Sequence, residues 1–247
     1  MSLAARLLNV FAVPGEVFAE VKASRVSIGN WLVPALLSVL VAVLAANVMV
    51  SQPAVQRKLH DLTEKQAKTL EQQVKAGKLK QADADSVLTL FRTVTKPDTL
   101  KVLASAAVAV VGVARVFWWA FILWFLGRWF LKVRFGYLKA LEVAGLGLMI
   151  GVLGTVVTLL LMVNLPSLFA TSNLASAISD FEASRKSLLL LLAANVFAFW
   201  LIGVLSVGLA RLAGVPFLRA AWFVFAAWLI QESCFMFLVG VLGQFAL

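Results

Sequence analysis

The stretch VLASAAVAVVGVARVFWWAFILWFLG, Val102 to Gly127, decides the fold. Its 26 residues hold one charge, Arg115, and are bounded by Lys101 and Arg128. A helix needs roughly 20 apolar residues to cross the hydrocarbon core of a bilayer, so this run is long enough to span it. Arg115 lies 13 positions from Arg128, about 20 Å along a helix. A charge at that depth costs at least about 2.5–3.5 kcal/mol and calls for a partner. Glu232 is the single acid in the last apolar run, Ala220 to Leu247, and it too lies 13 positions from its flanking base, Arg219. If both bases mark one membrane face, the two charges sit at equal depth. The expectation is an intramembrane ion pair, Arg115 with Glu232, tying this span to the last one.

The rest of the chain is of the same material. Hydrophobic residues make up 62% of it and the mean hydropathy is +0.95, far above the 45–50% apolar content of soluble domains. Apolar runs at 31–50, 102–127, 140–164, 187–210 and 220–245 predict an all-α polytopic membrane protein with five spans. Ahead of them, residues 1–30 read as two short amphipathic helices, the second opened by Pro14 with Val17, Phe18 and Val21 on its apolar face. Helices this short are marginal alone in water and are expected on the membrane surface or on the other helices. Residues 51–100 differ, with nine Lys/Arg, six Asp/Glu and the single histidine. Ser51 before Pro53 marks a helix start and Gly77 a stop. A second helix, 81–94, follows with Val87, Leu90, Phe91 and Val94 on one face. Mixed, interspersed charge is the pattern of a solvated surface, so this segment is read as an extramembrane helical hairpin between the first and second spans.

Within the third span, Ala140, Ala144, Gly147, Gly151 and Thr155 form a stripe of small residues. Such stripes let helices approach closely where lipid supplies no hydrophobic drive; packing within the chain is one reading and a homodimer the other. Asn195, Gln231 and Ser233 are the polar intramembrane neighbours of the charged pair. Segments Arg134–Ala140 and Val215–Ala220 echo one another at the starts of the third and fifth spans, a sign of repeated hairpins or of chance.

The net charge of +10 comes from bases that mostly flank apolar spans, which fits anionic lipid headgroups and not nucleic acid. Counting every Lys and Arg puts nine on the N-terminal side and twelve opposite, which does not by itself orient the chain. The two shortest connections, 128–139 and 211–219, are basic with a single acid nearby, Glu142, and support a cytoplasmic N-terminus. One cysteine, Cys234, excludes an intrachain disulfide, and it reads as a packing residue. His60 lacks partners for a metal site. No phosphate loop, Ser-His-Asp set or Cys-His set can be assembled, and inside the bilayer Glu232 reads as an isolated acid. No enzyme activity, metal or cofactor is expected.

Four segments carry a family resemblance: FAVPGEVF (Phe11–Phe18), WLVP (Trp31–Pro34), FGYLKAL (Phe135–Leu141) and GVPFLRAA (Gly214–Ala221). With the five-span plan, they resemble the Yip domain family, the Ypt/Rab-interacting membrane proteins, in its bacterial form. The resemblance implies a cytoplasmic N-terminus, with the C-terminus outside and the bacterial inner membrane as the location. It implies no settled activity. The Asp-Leu-Tyr-Gly-Pro motif of eukaryotic members is absent, so small-GTPase binding is not carried over. The reading that follows is a non-enzymatic scaffold or partner subunit in membrane organisation or trafficking-like processes, recruiting a protein partner through 51–100. The alternative is a transporter or lipid-handling protein with a polar site at Arg115 and Glu232.

Overall fold

The computed structural model describes residues 1–164 and 184–245, and every regular element among them is helical. In chain order these are α1 (Leu3–Asn9), α2 (Pro14–Ala23), α3 (Gly29–Ser51), α4 (Pro53–Lys75), α5 (Gln81–Thr95) and α6 (Pro97–Phe125). A π-helical turn, Leu126–Phe130, follows α6; then come α7 (Tyr137–Gly147), α8 (Met149–Asn164), α9 (Ser184–Ala213) and α10 (Phe217–Phe245). The break between α7 and α8 is a single residue, Leu148, whose amide still donates to the Ala144 carbonyl at 3.0 Å.

Four stretches among the described residues are long and apolar enough to cross a membrane: Gly29–Ser51, Pro97–Phe130, Tyr137–Leu160 and Val196–Ala213. The chain is an integral membrane protein, helical in every regular element among the described residues. The fifth expected span falls in α10, and every side chain past Leu238 lies outside the described residues. The expected connection at 165–186 lies almost wholly outside them as well. The second span begins earlier than its apolar run: Pro97 opens the helix, a position where its missing N–H costs nothing, and Asp98 in the first turn complements the dipole.

The chain divides into two compact units. The first comprises Met1–Ser38, Gly112–Gly154 and Lys186–Leu247. Its core joins Val17, Phe18 and Val21 of α2 to Trp119 and Leu123 of α6, Leu141 and Leu146 of α7, and Leu205 and Leu209 of α9. The apolar face of α2 is thus fully buried against other helices. Two glycines set the spacing. A Cβ on Gly145 would lie 2.4 Å from Trp31 Cα, and one on Gly208 would lie 2.2 Å from Val143 Cγ1. Bare backbone lets α7 meet α3 and α9 at these points. Along the small-residue stripe, Ala140 and Ala144 are fully buried, and a Cβ on Gly147 would press to 2.8 Å of Leu205 Cδ2. A Cβ on Gly151 would meet nothing within 4 Å, and Thr155 belongs to the second unit.

That second unit comprises Val39–Val111 and Thr155–Arg185. In it α4 packs on α5, with Leu70 and Ala84 buried. The start expected at Ser51 moves to Pro53, with Gln52 as N-cap; the Ser51 hydroxyl instead donates back to the Asn47 carbonyl at 2.9 Å and prolongs α3. Gly77, at φ 69°, closes α4 through amides of Gly77 and Lys78 donating to the Val74 and Gln73 carbonyls, both at 2.9 Å. Asn47 Nδ2 donates to Ser105 Oγ at 3.0 Å, joining α3 to α6 within the unit. On α5, Val87, Leu90 and Val94 are exposed, Leu90 by 65%.

Candidate functional site: a buried polar network on α7

The most deeply placed acid of the first unit is Glu142, with none of its side chain accessible. Its Oε1 accepts from the Ser27 amide at 2.9 Å and from Asn30 Nδ2 at 2.7 Å. Lys139, one turn earlier on α7, brings its Nζ to 2.8 Å of Oε2, off the hydrogen-bond axis, so Oε2 is held by charge alone. The same ammonium donates to the Val21 carbonyl at 2.6 Å and the Ser24 carbonyl at 2.7 Å. Those carbonyls end α2, where a cation matches the dipole. A buried carboxylate is costly unless paired and hydrogen-bonded, and here both conditions hold.

The chain of contacts continues outward. The fully buried Asn30 accepts from Arg6 Nη1 at 3.3 Å through its Oδ1, so its amide bridges a cation to an anion. Arg6 Nη2 donates to Glu20 Oε1 at 2.8 Å, and the terminal ammonium contacts the same oxygen. These two cations hold the Glu20 carboxyl below its ordinary value. Four elements, α1, α2, α3 and α7, are thereby joined through one polar path.

A second junction lies beside it. Lys22 Nζ donates to the Arg211 carbonyl at 2.9 Å, covering an orphan acceptor at the end of α9. Gly214, at φ 69°, then turns the chain into α10, with amides of Gly214 and Val215 both donating to the Ala210 carbonyl at 2.8 and 3.1 Å.

The residues singled out from sequence are placed as follows. Arg115 is exposed and Glu232 half-buried, and among the described residues no salt bridge joins them. What does connect α6 to α10 at this level is Trp118 Nε1 donating to Gln231 Oε1 at 2.6 Å, one turn from Arg115 and one residue from Glu232. Ser233 and Cys234 are exposed. The side chain of Asn195 lies outside the described residues. His60 stands 3.8 Å from Glu64 on α4, and among the described residues no group of three His, Cys, Asp or Glu is placed to hold a metal.

The model of the Yip1 domain matches residues 8–239, nearly the whole chain and all of the network except Arg6 and the terminal ammonium of Met1. The chain belongs to the Yip1 domain family. No curated protein and no solved structure matches it. Within the Yip1 domain the four segments that carried the resemblance all fall in the first unit. FAVPGEVF makes the α1–α2 turn, WLVP opens α3 beside Gly145, FGYLKAL supplies Lys139, and GVPFLRAA makes the α9–α10 turn.

In the sequence Glu142 is an acid near a short basic connection, at the start of the third expected span, and Glu232 reads as the isolated acid of the bilayer. The structure adds what the sequence did not show: Glu142 is wholly buried in the helical core of the first unit. One signal was present: Lys139 and Glu142 stand three apart, neighbours on a helix. Ser27 and Asn30 carried none, because they meet Glu142 across 115 and 112 residues of chain.

Proposed function

We propose that this Yip1-domain protein is a non-enzymatic scaffold or partner subunit of the bacterial inner membrane. It has five spans, a cytoplasmic N-terminus and an outer C-terminus, and α4 with α5 forms a water-exposed hairpin that engages a protein partner. The observation that carries this reading is the exposed apolar face of α5, Val87, Leu90 and Val94, together with the exposed Leu62 of α4, on a segment otherwise covered in charge. Contiguous exposed apolar surface rimmed by polar residues marks interaction sites.

The test is affinity capture from native membranes with wild type, Leu90→Glu and Val94→Glu, each at matched membrane abundance. A stable partner recovered with wild type and lost with both variants is the expected outcome. Recovery of the same partners with the charged variants would remove the hairpin from the function. The Arg115–Glu232 clasp belongs to the same proposal, as the element that fixes α6 against α10 beside the Trp118–Gln231 bond.

A further inference from the structure

The first unit contains a cleft of about 800 Å³ lined by residues of α2, the end of α9 and the start of α10, among them Gly15, Lys22, Arg211, Gly214 and Phe217. Its volume is in the range of sites that enclose a small ligand. The lining includes two cations and no acid. Lys22 is engaged with the Arg211 carbonyl. The Arg211 guanidinium makes no hydrogen bond or ion pair among the described residues. It rests over Gly15 at the start of α2, where an added Cβ would come within 3.2 Å of Nη2. The walls are otherwise apolar, with Val207, Ala210 and Val215. Below the cleft, α10 presents Phe217, Leu218 and Trp222 outward, the last two about equally exposed at 70% and 71%. A tryptophan on such a face is suited to the headgroup boundary; Leu218 and Trp222, one turn apart on α10, form a short apolar track, with the exposed Arg219 beside them.

We propose that this cleft binds the phosphate of an anionic phospholipid, with Arg211 as the principal contact, Lys22 as the second cation, and the acyl chains lying along α10. An arginine fork matches phosphate oxygens in two-point geometry, and basic pockets between membrane helices take anionic headgroups. A cleft for a soluble anion would need the cations but not the apolar track. The two features together specify a lipid.

The experiment uses the full chain in nanodiscs of phosphatidylcholine with a graded fraction of fluorescent phosphatidylglycerol, read by energy transfer from tryptophan. Wild type is expected to enrich phosphatidylglycerol over phosphatidylcholine. Arg211→Gln should weaken that enrichment about fivefold, the loss expected for one basic contact near the surface, and Arg211→Lys should restore part of it. Gly15→Leu, which fills the cleft without removing charge, should lower it as well, and so decides the matter if Arg211→Gln proves unstable. Arg128→Gln, a base outside the cleft, should leave it unchanged. Equal losses for Arg128→Gln and Arg211→Gln would reduce the effect to diffuse surface charge and overturn the site. Displacement of the signal by millimolar inorganic phosphate would assign it to a soluble anion and overturn the lipid. Equal affinity for both lipids would overturn it outright.

Discussion

The first unit places two cation–carboxylate couples in apolar surroundings and treats them differently. At Glu142 and Lys139 the charges stand 2.8 Å apart and their remaining capacity is taken up by Asn30, the Ser27 amide and two carbonyls of α2. At Arg115 and Glu232 no salt bridge forms among the described residues, and the hydrogen bond between their helices belongs to neutral neighbours, Trp118 and Gln231. The lesson is that sequence isolation and structural commitment are separate properties. The conspicuous charges have one neutral hydrogen bond near them, whereas the inconspicuous ones bind four elements together. Removing the partner of a buried charge such as Glu142 strands it, at about 3–5 kcal/mol; a pair that lacks direct contact has less to lose.

The largest expected effect is therefore at the network. Glu142→Leu and Lys139→Leu should each lower stability by about 3–5 kcal/mol, and the double variant should lose less than the sum of the two, as read by thermal unfolding in detergent. Full additivity would mean that the two charges are not coupled. Next come the close approaches. Gly145→Ala sets a methyl against the Trp31 backbone, which cannot yield as a side-chain tip can, and Gly208→Ala drives one into Val143. Each should cost about 1–3 kcal/mol. Gly151→Ala, with open space at its Cβ, should stay within about 0.5 kcal/mol of wild type. A large loss at Gly151 with none at Gly145 would transfer the tight seam to the other face of the span.

The smallest coupling is expected between Arg115 and Glu232. In the Arg115→Leu/Glu232→Leu cycle the interaction energy should be about 1 kcal/mol or less, below that of the Lys139/Glu142 cycle, with the double variant more abundant in membranes than either single one. A single variant no worse than the double would end the clasp proposal.

How much was legible follows from the same comparison. Hydropathy located four spans because a bilayer demands long apolar helices, and the face of α2 was readable because Val17, Phe18 and Val21 repeat at helical spacing. Between the first two expected spans, Gly77 stops α4 as its sequence signals, whereas the start expected at Ser51 falls at Pro53. The network was not legible. Its anion sits three residues after a lysine at a span boundary, where a charge is ordinary, and its other partners are an amide and an asparagine supplied by distant chain. The small-residue stripe was half legible: periodicity picks a face, but only the neighbouring helices decide that Gly145, off the stripe, is the tightest contact of α7 with α3.

The central claim is that Glu142 fastens the N-terminal helices to the membrane core, and hydrogen exchange on the full chain tests it most directly. With Glu142→Gln, amides of α2 between Val17 and Ser24 should lose protection while those of α9 between Leu201 and Leu209 keep theirs. Unchanged protection across α2 would contradict the claim.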